Sequence, residues 1–202
     1  MPRVSSKEKY TAQAFQIFKE KGLTLNMEQI ALSLGITKKT LYNNFSSKQE
    51  LIGTVMGYFY ADLDKKIQIS SQKRDNAIQA FCEVAQVINA EITKLGTLLL
   101  KDFSLYHSSL SIFTFADRMN FYSKLVKENL RRGMDEGLYR PNLDVDYSTL
   151  FYTSAIDLFY RWDGSFKFIS DTSEYHRELV KHHLYSVVNE NGLKVLEAYF
   201  AG

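Results

Sequence analysis

The segment from Met27 to Lys48, MEQIALSLGITKKTLYNNFSSK, constrains the fold more than any other part of the chain. Asn26 stands before a helical apolar stripe and is suited to accept hydrogen bonds from the first free amides of that helix. The stripe has the spacing i, i+3, i+4 and i+7 and consists of Met27, Ile30, Ala31 and Leu34. Gly35 is suited to the left-handed residue that ends many helices, and Thr37 to the N-cap of the next helix. Two short helices joined by a tight turn are therefore predicted.

The second of these helices carries cations at the end where they cost stability. Leu41 and Phe45 lie four residues apart and predict a buried face, which leaves Lys38 and Lys39 for another face. A helix N-terminus already has partial positive charge, so each lysine there is unfavourable by roughly 0.3–1 kcal/mol. Both lysines make better sense if a strongly negative partner binds there, and DNA is the obvious candidate because recognition helices present their first residues to the major groove.

The distribution of charge agrees with a nucleic-acid contact confined to one end. Residues 1–50 hold 8 Lys/Arg against 4 Asp/Glu, a net of +4, so the total of +2 leaves −2 for residues 51–202. A basic amino-terminal module on a mildly acidic remainder fits DNA binding, although a merely solvated basic surface has the same charge. The chain has only two prolines, and its apolar residues have mostly helical spacing, which predicts an all-α fold.

Along the chain, helical spacing predicts a first helix over residues 6–21 that ends at Gly22. The capping-box pattern Ser47-Lys48-Gln49-Glu50 opens a long fourth helix over 47–69. Residues 1–48 are predicted to form the DNA-binding domain, and residues 49–202 a second domain, with the fourth helix linking the two. Further helices are predicted over 76–94, 111–136, 147–162 and 174–188, with a short apolar piece over 98–106 and loops at 137–146 and 164–170.

The pattern Ile30-Ala31-x-x-Leu34-Gly35-Ile36-Thr37-x-x-Thr40-Leu41-Tyr42-x-x-Phe45-x-x-Lys48-x-x-Leu51 closely resembles the DNA-binding signature of TetR-family transcriptional regulators. The resemblance is specific over residues 8–60. It implies an all-α protein of about nine helices, with a three-helix helix-turn-helix head and a variable ligand-binding and dimerisation bundle. It also implies a homodimer, formed through the last two long helices, that binds a pseudopalindromic DNA operator.

The same resemblance assigns roles to residues of the helix-turn-helix. It implies that Thr37 and Tyr42 touch phosphate and that Lys48 holds the DNA backbone from the start of the fourth helix. The residues implied to face the groove are Lys38, Lys39, Thr40 and Asn43. Core packing is the alternative for Tyr42, and Asn44 is interpreted as a cap of the helix end. The chain departs from the family pattern at Lys39, where many relatives have glycine, and at Asn26, where threonine is usual.

The remainder of the chain is strongly aromatic, and two explanations stand. The first is a pocket for an apolar or aromatic small molecule, because such pockets are mostly apolar with a few polar groups. The candidate pocket residues are Phe81, Phe103, Tyr106, Phe115, Tyr122, Tyr152 and Asp157. The second is an ordinary core. An ion pair with Arg161, four residues further along the helix, is the alternative for Asp157.

Other classes of function find little support in the sequence. Glu178 and His182 could begin a metal site, but no dense ligand motif completes it, so neither a metal nor a cofactor is expected. The histidines are instead assigned to the polar rim of the dimer. Motifs of nucleophilic, phosphate-binding or zinc-dependent enzymes are absent, so the protein is not expected to be an enzyme.

The expected function is that of a repressor released by a small molecule. The alternative is a DNA-binding protein of the same fold without an inducer, which acts through a protein partner or assembly. Cys82 is the only cysteine, and no apolar run is long enough to span a membrane, so a cytoplasmic protein is expected.

Overall fold

The computed structural model describes residues 5–72, 75–95, 98, 99, 102, 112–160 and 172–201, without the side chains of 72, 112–118, 157, 159, 160, 172 and 173. These residues form two compact units. The head unit comprises Met1–Asp64 and Ile92–Thr114, and the body unit comprises Lys65–Glu91 and Phe115–Gly202. The boundary between the two units, between Asp64 and Lys65, falls within the long helix Lys48–Gln72. The DNA-binding domain was predicted to end at residue 48, and that functional limit stays a prediction.

The described part of the chain is helical, apart from loops and one isolated bridge between Tyr139 and Val188. Its helices are Ser6–Lys21 (α1), Met27–Ser33 (α2), Lys38–Asn44 (α3), Lys48–Gln72 (α4), Ala77–Thr93 (α5), Ile112–Asp135 (α6), Val145–Tyr160 (α7), Thr172–Val187 (α8) and Glu190–Ala201 (α9). The predicted all-α class is confirmed. Of the short apolar piece over 98–106, only residues 98, 99 and 102 lie within the described residues.

The helices of the head unit begin and end at local capping signals. Asn26 accepts hydrogen bonds from the amides of Glu28 and Gln29 at 3.0 and 2.9 Å, and the Gln29 side chain returns a bond to the Asn26 amide. Gly35 has a φ of +67°. Its amide and that of Ile36 donate to carbonyls one turn earlier, so α2 ends in a Schellman motif. The predicted turn between the two short helices is confirmed.

One detail at the start of α4 differs from the predicted capping box. Ser47 accepts a hydrogen bond from the Glu50 amide at 3.1 Å, as predicted, but the Glu50 carboxylate accepts from the amide of Ser46 at 2.7 Å. The Lys7 ammonium lies 2.7 Å from the same carboxylate. The hydrogen bonds from Lys7 and Ser46 lower the pKa of Glu50 to about 2. Glu50 therefore ties α1 to α4 instead of closing the box on Ser47.

The body unit is built around one apolar core to which α5, α6, α7, α8 and α9 contribute. Its fully or nearly fully buried members include Ile78, Leu130, Tyr139, Leu184 and Leu196. The helix α9 was not predicted as a separate element. Its signal was nevertheless present, because Asn189 accepts a hydrogen bond from the Gly192 amide at 3.0 Å and so caps a new helix directly after α8.

Candidate nucleic-acid interface and body cavity

The helix α3 has one buried face and one face directed outward. Leu41 on α3 and Phe45, which follows it, are completely buried in the head unit. Lys38, Lys39 and Asn43 are exposed, and 45% of Tyr42 is accessible. Core packing was the alternative for Tyr42, and this exposure leaves its ring available to a partner.

Three of the predicted DNA-contacting residues line one concavity of the head unit. This head concavity has a volume of about 400 Å³ and is lined by Thr24, Asn26, Met27, Glu28, Lys38, Tyr42 and Lys48. It brings together Lys38 and Tyr42 from α3 with Lys48, the half-buried first residue of α4. Two cationic side chains and a phenol on one open surface can together accept a phosphate group.

The remaining predicted residues of α3 have structural tasks as well. Thr37 accepts a hydrogen bond from the Thr40 amide at 3.1 Å, and the two hydroxyl groups lie 2.8 Å apart. The Asn44 side chain donates to the Thr40 carbonyl at 2.8 Å, which confirms its interpretation as a cap of the helix end. Lys39 and Asn43 do not line the head concavity, so they can meet a different part of the same partner.

Sequence reasoning missed the acidic member of the head concavity. Glu28 lies on α2, and its carboxylate is 3.4 Å from the Lys38 ammonium. A carboxylate beside the predicted DNA-binding lysine opposes the approach of a phosphate. The sequence offered one signal of this residue, because Glu28 is the only acidic residue between Lys21 and Lys48.

The body unit contains a cavity of about 220 Å³ among α5, α6 and α7, which we call the body cavity. Phe81, Tyr122 and Tyr152, three of the predicted pocket residues, line it. Phe103 and Tyr106 lie outside the described residues, as do the side chains of Phe115 and Asp157. The predicted alternative for Asp157, an ion pair with Arg161, also lies outside them.

Most of the other lining residues are aliphatic and were not singled out from the sequence, because their helical spacing is equally typical of a core. They include Ala85, Ile88, Val126 and Ile156. The polar lining residues are partly engaged. Asn129 donates to the Ala77 carbonyl at 2.8 Å and accepts from the Tyr139 hydroxyl at 3.0 Å, and Arg132 pairs with Glu136 at 2.6 Å. The body cavity is therefore suited to a largely apolar molecule.

Two histidines lie in the interior of the body unit, and their predicted assignment to a polar dimer rim is wrong. His176 and His183 are only 8% and 7% exposed, because they share the core-facing stripe of α8 with Val180, Leu184 and Val187. Burial lowers the pKa of each imidazole to about 4. Within the described residues, no group of three or more potential metal ligands forms around Glu178 and His182 or elsewhere.

Known proteins similar to this chain are HTH-type transcriptional regulators. Residues 11–55 match the model of the family described as bacterial regulatory proteins, tetR family. The chain is 30% identical over 98 residues to the HTH-type transcriptional regulator YvaF of Bacillus subtilis, a match that covers 48% of this chain and 51% of that protein. It is 25% identical over 158 residues to the HTH-type transcriptional repressor KstR2 of Mycobacterium tuberculosis, covering 74% and 76% respectively.

The fold is also found among solved structures. A transcriptional regulator from Saccharomonospora viridis, in complex with choline, superposes with a TM-score of 0.74 at 13% identity, over 92% of this chain and 98% of that chain. A capped helix-turn-helix with an outward basic α3 on an all-helical body defines a DNA-binding transcriptional regulator. Its residues 11–55 match the DNA-binding domain of the tetR family, and the relatives named above are regulators of that kind. Within the described residues, no helix is both long and apolar enough to cross a membrane.

Proposed function

We propose that this protein is a homodimeric repressor that binds a pseudopalindromic operator through α3 and is released when an apolar small molecule enters the body cavity. The observation that supports DNA binding is that α3 has one buried face and one exposed face. Leu41 is completely buried on one side, and Lys38, Lys39, Tyr42 and Asn43 are exposed on the other. In this proposal residues 1–48 are the DNA-binding domain, and the protein acts in the cytoplasm.

Each exposed residue has a role that suits its chemistry. Tyr42 and Thr37 contact phosphate, and Lys48 holds the backbone from the start of α4. Lys38, Lys39, Thr40 and Asn43 face the groove, where lysine can donate to guanine and asparagine can read adenine with two hydrogen bonds. Lys38 also lines the head concavity with Tyr42 and Lys48, so in this proposal it can bind a phosphate as well. In a two-fold symmetric dimer the two α3 helices meet successive major grooves, about 34–36 Å apart.

An exposed apolar stripe on α7 supports assembly through α7 and α8. Four large apolar side chains of α7 are at least half exposed, and they recur at helical spacing: Tyr147, Leu150, Phe151 and Leu158. A contiguous apolar patch of this kind is typical of an interface between subunits. A second copy of the chain would cover it by two-fold symmetry.

Release by a ligand requires that the ligand prefer the form that does not bind DNA. A 100-fold preference supplies roughly 2.7 kcal/mol, enough to lower operator affinity by about the same factor. The body cavity is mostly apolar, with aromatic walls from Phe81, Tyr122 and Tyr152, so the ligand proposed is an apolar or aromatic molecule. Enzymatic turnover is not part of this proposal, and burial raises the pKa of the only thiol, that of Cys82, to about 12.

The test of DNA binding starts from duplexes selected out of a random library by the wild-type protein. Lys38→Ala/Lys39→Ala/Lys48→Ala should lose salt-sensitive binding to the selected duplex. The matched control, Lys65→Ala/Lys124→Ala/Lys194→Ala, removes the same charge from exposed positions of the body unit and should bind like the wild type. Equal loss in both triple variants would contradict recognition by α3.

The test of the ligand part fills the body cavity. Ala85 is 6% exposed and lines the cavity, so Ala85→Phe should occupy the space that an apolar molecule would take. A panel of alkyl carboxylates, steroids and aromatic acids should contain molecules that raise the melting temperature of the wild type and release it from DNA. Ala85→Phe should not respond to them. A wild-type protein that responds to none would favour the alternative of an inducer-free regulator.

A further inference from the structure

The head concavity contains one negative side chain among its cations. Glu28 is the only Asp or Glu in the 28 residues from Lys21 to Lys48, yet it lies within ion-pairing distance of a lysine predicted to bind DNA. The carboxylate is 3.4 Å from the Lys38 ammonium, and the two side chains are 75% and 56% exposed. The pair therefore stands on the surface that a duplex has to approach.

A helix-stabilising role accounts for only part of this placement. Glu28 lies in the first turn of α2, where a negative charge is favourable. However, Asn26 already accepts hydrogen bonds from the amides of Glu28 and Gln29, and Gln29 completes the reciprocal box. Among the described residues, the Glu28 carboxylate has Lys38 as its partner and no backbone amide.

The consequence for DNA binding follows from charge. A phosphate that enters the head concavity meets Lys38, Tyr42 and Lys48, but it also meets the Glu28 carboxylate on the same wall. Lys38 cannot give its full charge to the phosphate while it is paired, and the carboxylate repels the phosphate directly. Both effects are independent of base sequence, because they act on the DNA backbone.

We propose that Glu28 weakens DNA binding electrostatically. Its carboxylate pairs with Lys38 in the free protein and lowers the affinity of the head unit for any duplex. This proposal rests on the proposed DNA-binding function. In this role Glu28 keeps the affinity for the DNA phosphate backbone moderate. Base contacts from α3 then decide which sequence the protein binds. A ligand that only moderately prefers the form that does not bind DNA is then enough to release the protein.

The test is Glu28→Gln, which keeps the shape and helix propensity of the side chain and removes its charge. Binding is measured to a mixed-sequence duplex and to a library-selected duplex, each over a series of KCl concentrations. The variant should bind both duplexes roughly three- to tenfold more tightly near 0.1 M salt. The slope of log K against log [KCl] should steepen by about 0.9, because one more phosphate is neutralised.

Two further variants make the test specific to the pair. In a Lys38→Ala background the gain from Glu28→Gln should shrink, because the lysine that it would free is absent. Glu190→Gln is the matched control, since Glu190 is an exposed acid in the first turn of α9 in the body unit. It should leave affinity and salt slope unchanged, and melting curves should show both single variants folded.

Three outcomes would overturn the proposal. The first is an unchanged affinity and slope in Glu28→Gln. The second is weaker binding of the selected duplex alone, which would make Glu28 a reader of a base such as cytosine. The third is that neither wild type nor variant binds any duplex, which would remove the proposed DNA-binding function and this proposal with it. The first two outcomes leave the DNA-binding function intact, so failure of the Glu28 proposal can be distinguished from failure of the proposed DNA-binding function.

Discussion

The carboxylate of Asp102 accepts a hydrogen bond from the backbone amide of Leu23 at 2.5 Å, within the head unit and across 79 positions of sequence. Both residues are buried, Leu23 completely and Asp102 to all but 4%. Leu23 belongs to the junction between α1 and α2, and Asp102 to the stretch between α5 and α6, two helices that line the body cavity. The bond thus fixes the junction of α1 and α2 to a residue that is distant in sequence but lies in the same unit.

We expect Asp102→Leu to destabilise the protein and to weaken DNA binding. The substitution leaves the buried Leu23 amide without its acceptor, at a cost of about 1–3 kcal/mol. Asp102→Asn retains an acceptor oxygen and should cost less than half as much. Urea denaturation measures both, and hydrogen exchange at the Leu23 amide should accelerate only in the leucine variant. Equal destabilisation by asparagine would show that the charge, and not the hydrogen bond, is what matters.

Gly22→Ala should destabilise the same junction from the other side. Gly22 has φ +72° and ψ −172°, a region that only glycine adopts without strain, and a Cβ there would overlap Asp102 Oδ2. The strain alone amounts to about 1–3 kcal/mol. Gly57→Ala is the control, because Gly57 lies inside α4 with open space around it, so alanine should stabilise by roughly 0.5–1 kcal/mol. Thermal melting of the two variants should therefore shift in opposite directions.

Tyr42→Phe should lower affinity for every duplex without changing stability. The phenol is exposed and its proposed partner is a phosphate, so its loss should cost roughly three- to tenfold in affinity whatever the base sequence. The free energy of unfolding should stay within about 0.5 kcal/mol of the wild type. A drop in stability would instead assign Tyr42 to the packing of the head unit.

Asn43→Ala should behave differently at the same surface. Asn43 is exposed on α3 and is proposed to read a base, so the variant should lose about 1–3 kcal/mol of discrimination at one position of the operator. Binding to a mixed-sequence duplex should hardly change. A library selection repeated with the variant measures this, and an unaltered base preference at every position would exclude direct readout by Asn43.

The stability of the body unit should fall as the pH drops from about 6.5 to 4. Burial lowers the pKa of His176 and of His183 to about 4 in the folded protein, whereas an unfolded histidine has a pKa near 6.5. The unfolded state thus binds more protons in this range, so stability is complete above pH 6.5 and is lost as the pH falls toward 4. Each histidine contributes up to about 3 kcal/mol to this loss.

His183→Phe should flatten that pH dependence by about half. The His183 ring lies 4.9 Å from the Phe81 ring and 4.5 Å from the Tyr152 ring, and its Nε2 has no hydrogen-bond partner among the described residues. A phenylalanine can occupy this aromatic environment and cannot be protonated. Urea denaturation at a series of pH values measures the slope. His182→Gln, which removes an exposed imidazole of the same helix, should leave the slope unchanged.

Phe151→Glu should convert the dimer into monomers. Phe151 is 72% exposed on the apolar stripe of α7, where a carboxylate would be desolvated by a second subunit. Light scattering should report half the mass. Operator affinity should fall by ~100-fold or more, because the two heads no longer bind as one unit. Leu32→Glu introduces the same charge at a leucine of the head unit that is 81% exposed, and it should remain dimeric. A dimeric Phe151→Glu would place the interface elsewhere.

The helix-turn-helix was readable from the sequence because its signals act over a few residues. Asn26, Gly35 and Thr37 satisfy or redirect backbone groups within one helical turn, so their positions fix the ends of α2 and α3. The apolar spacing likewise determined which side of α3 would be buried. The confirmed class, the helix order and the outward lysines all follow from such local rules.

Tertiary structure alone decided which distant groups meet. The sequence indicated neither that Glu50 would pair with Lys7 nor that Asp102 would hold the Leu23 amide, because partners 43 and 79 positions apart carry no periodic signal. The sequence suggested a polar dimer rim for His183, whereas the structure buries this residue, because α8 packs that face against the core of the body unit. Local hydrogen bonding and helical periodicity are encoded residue by residue, but burial and long-range pairing exist only once the helices have packed.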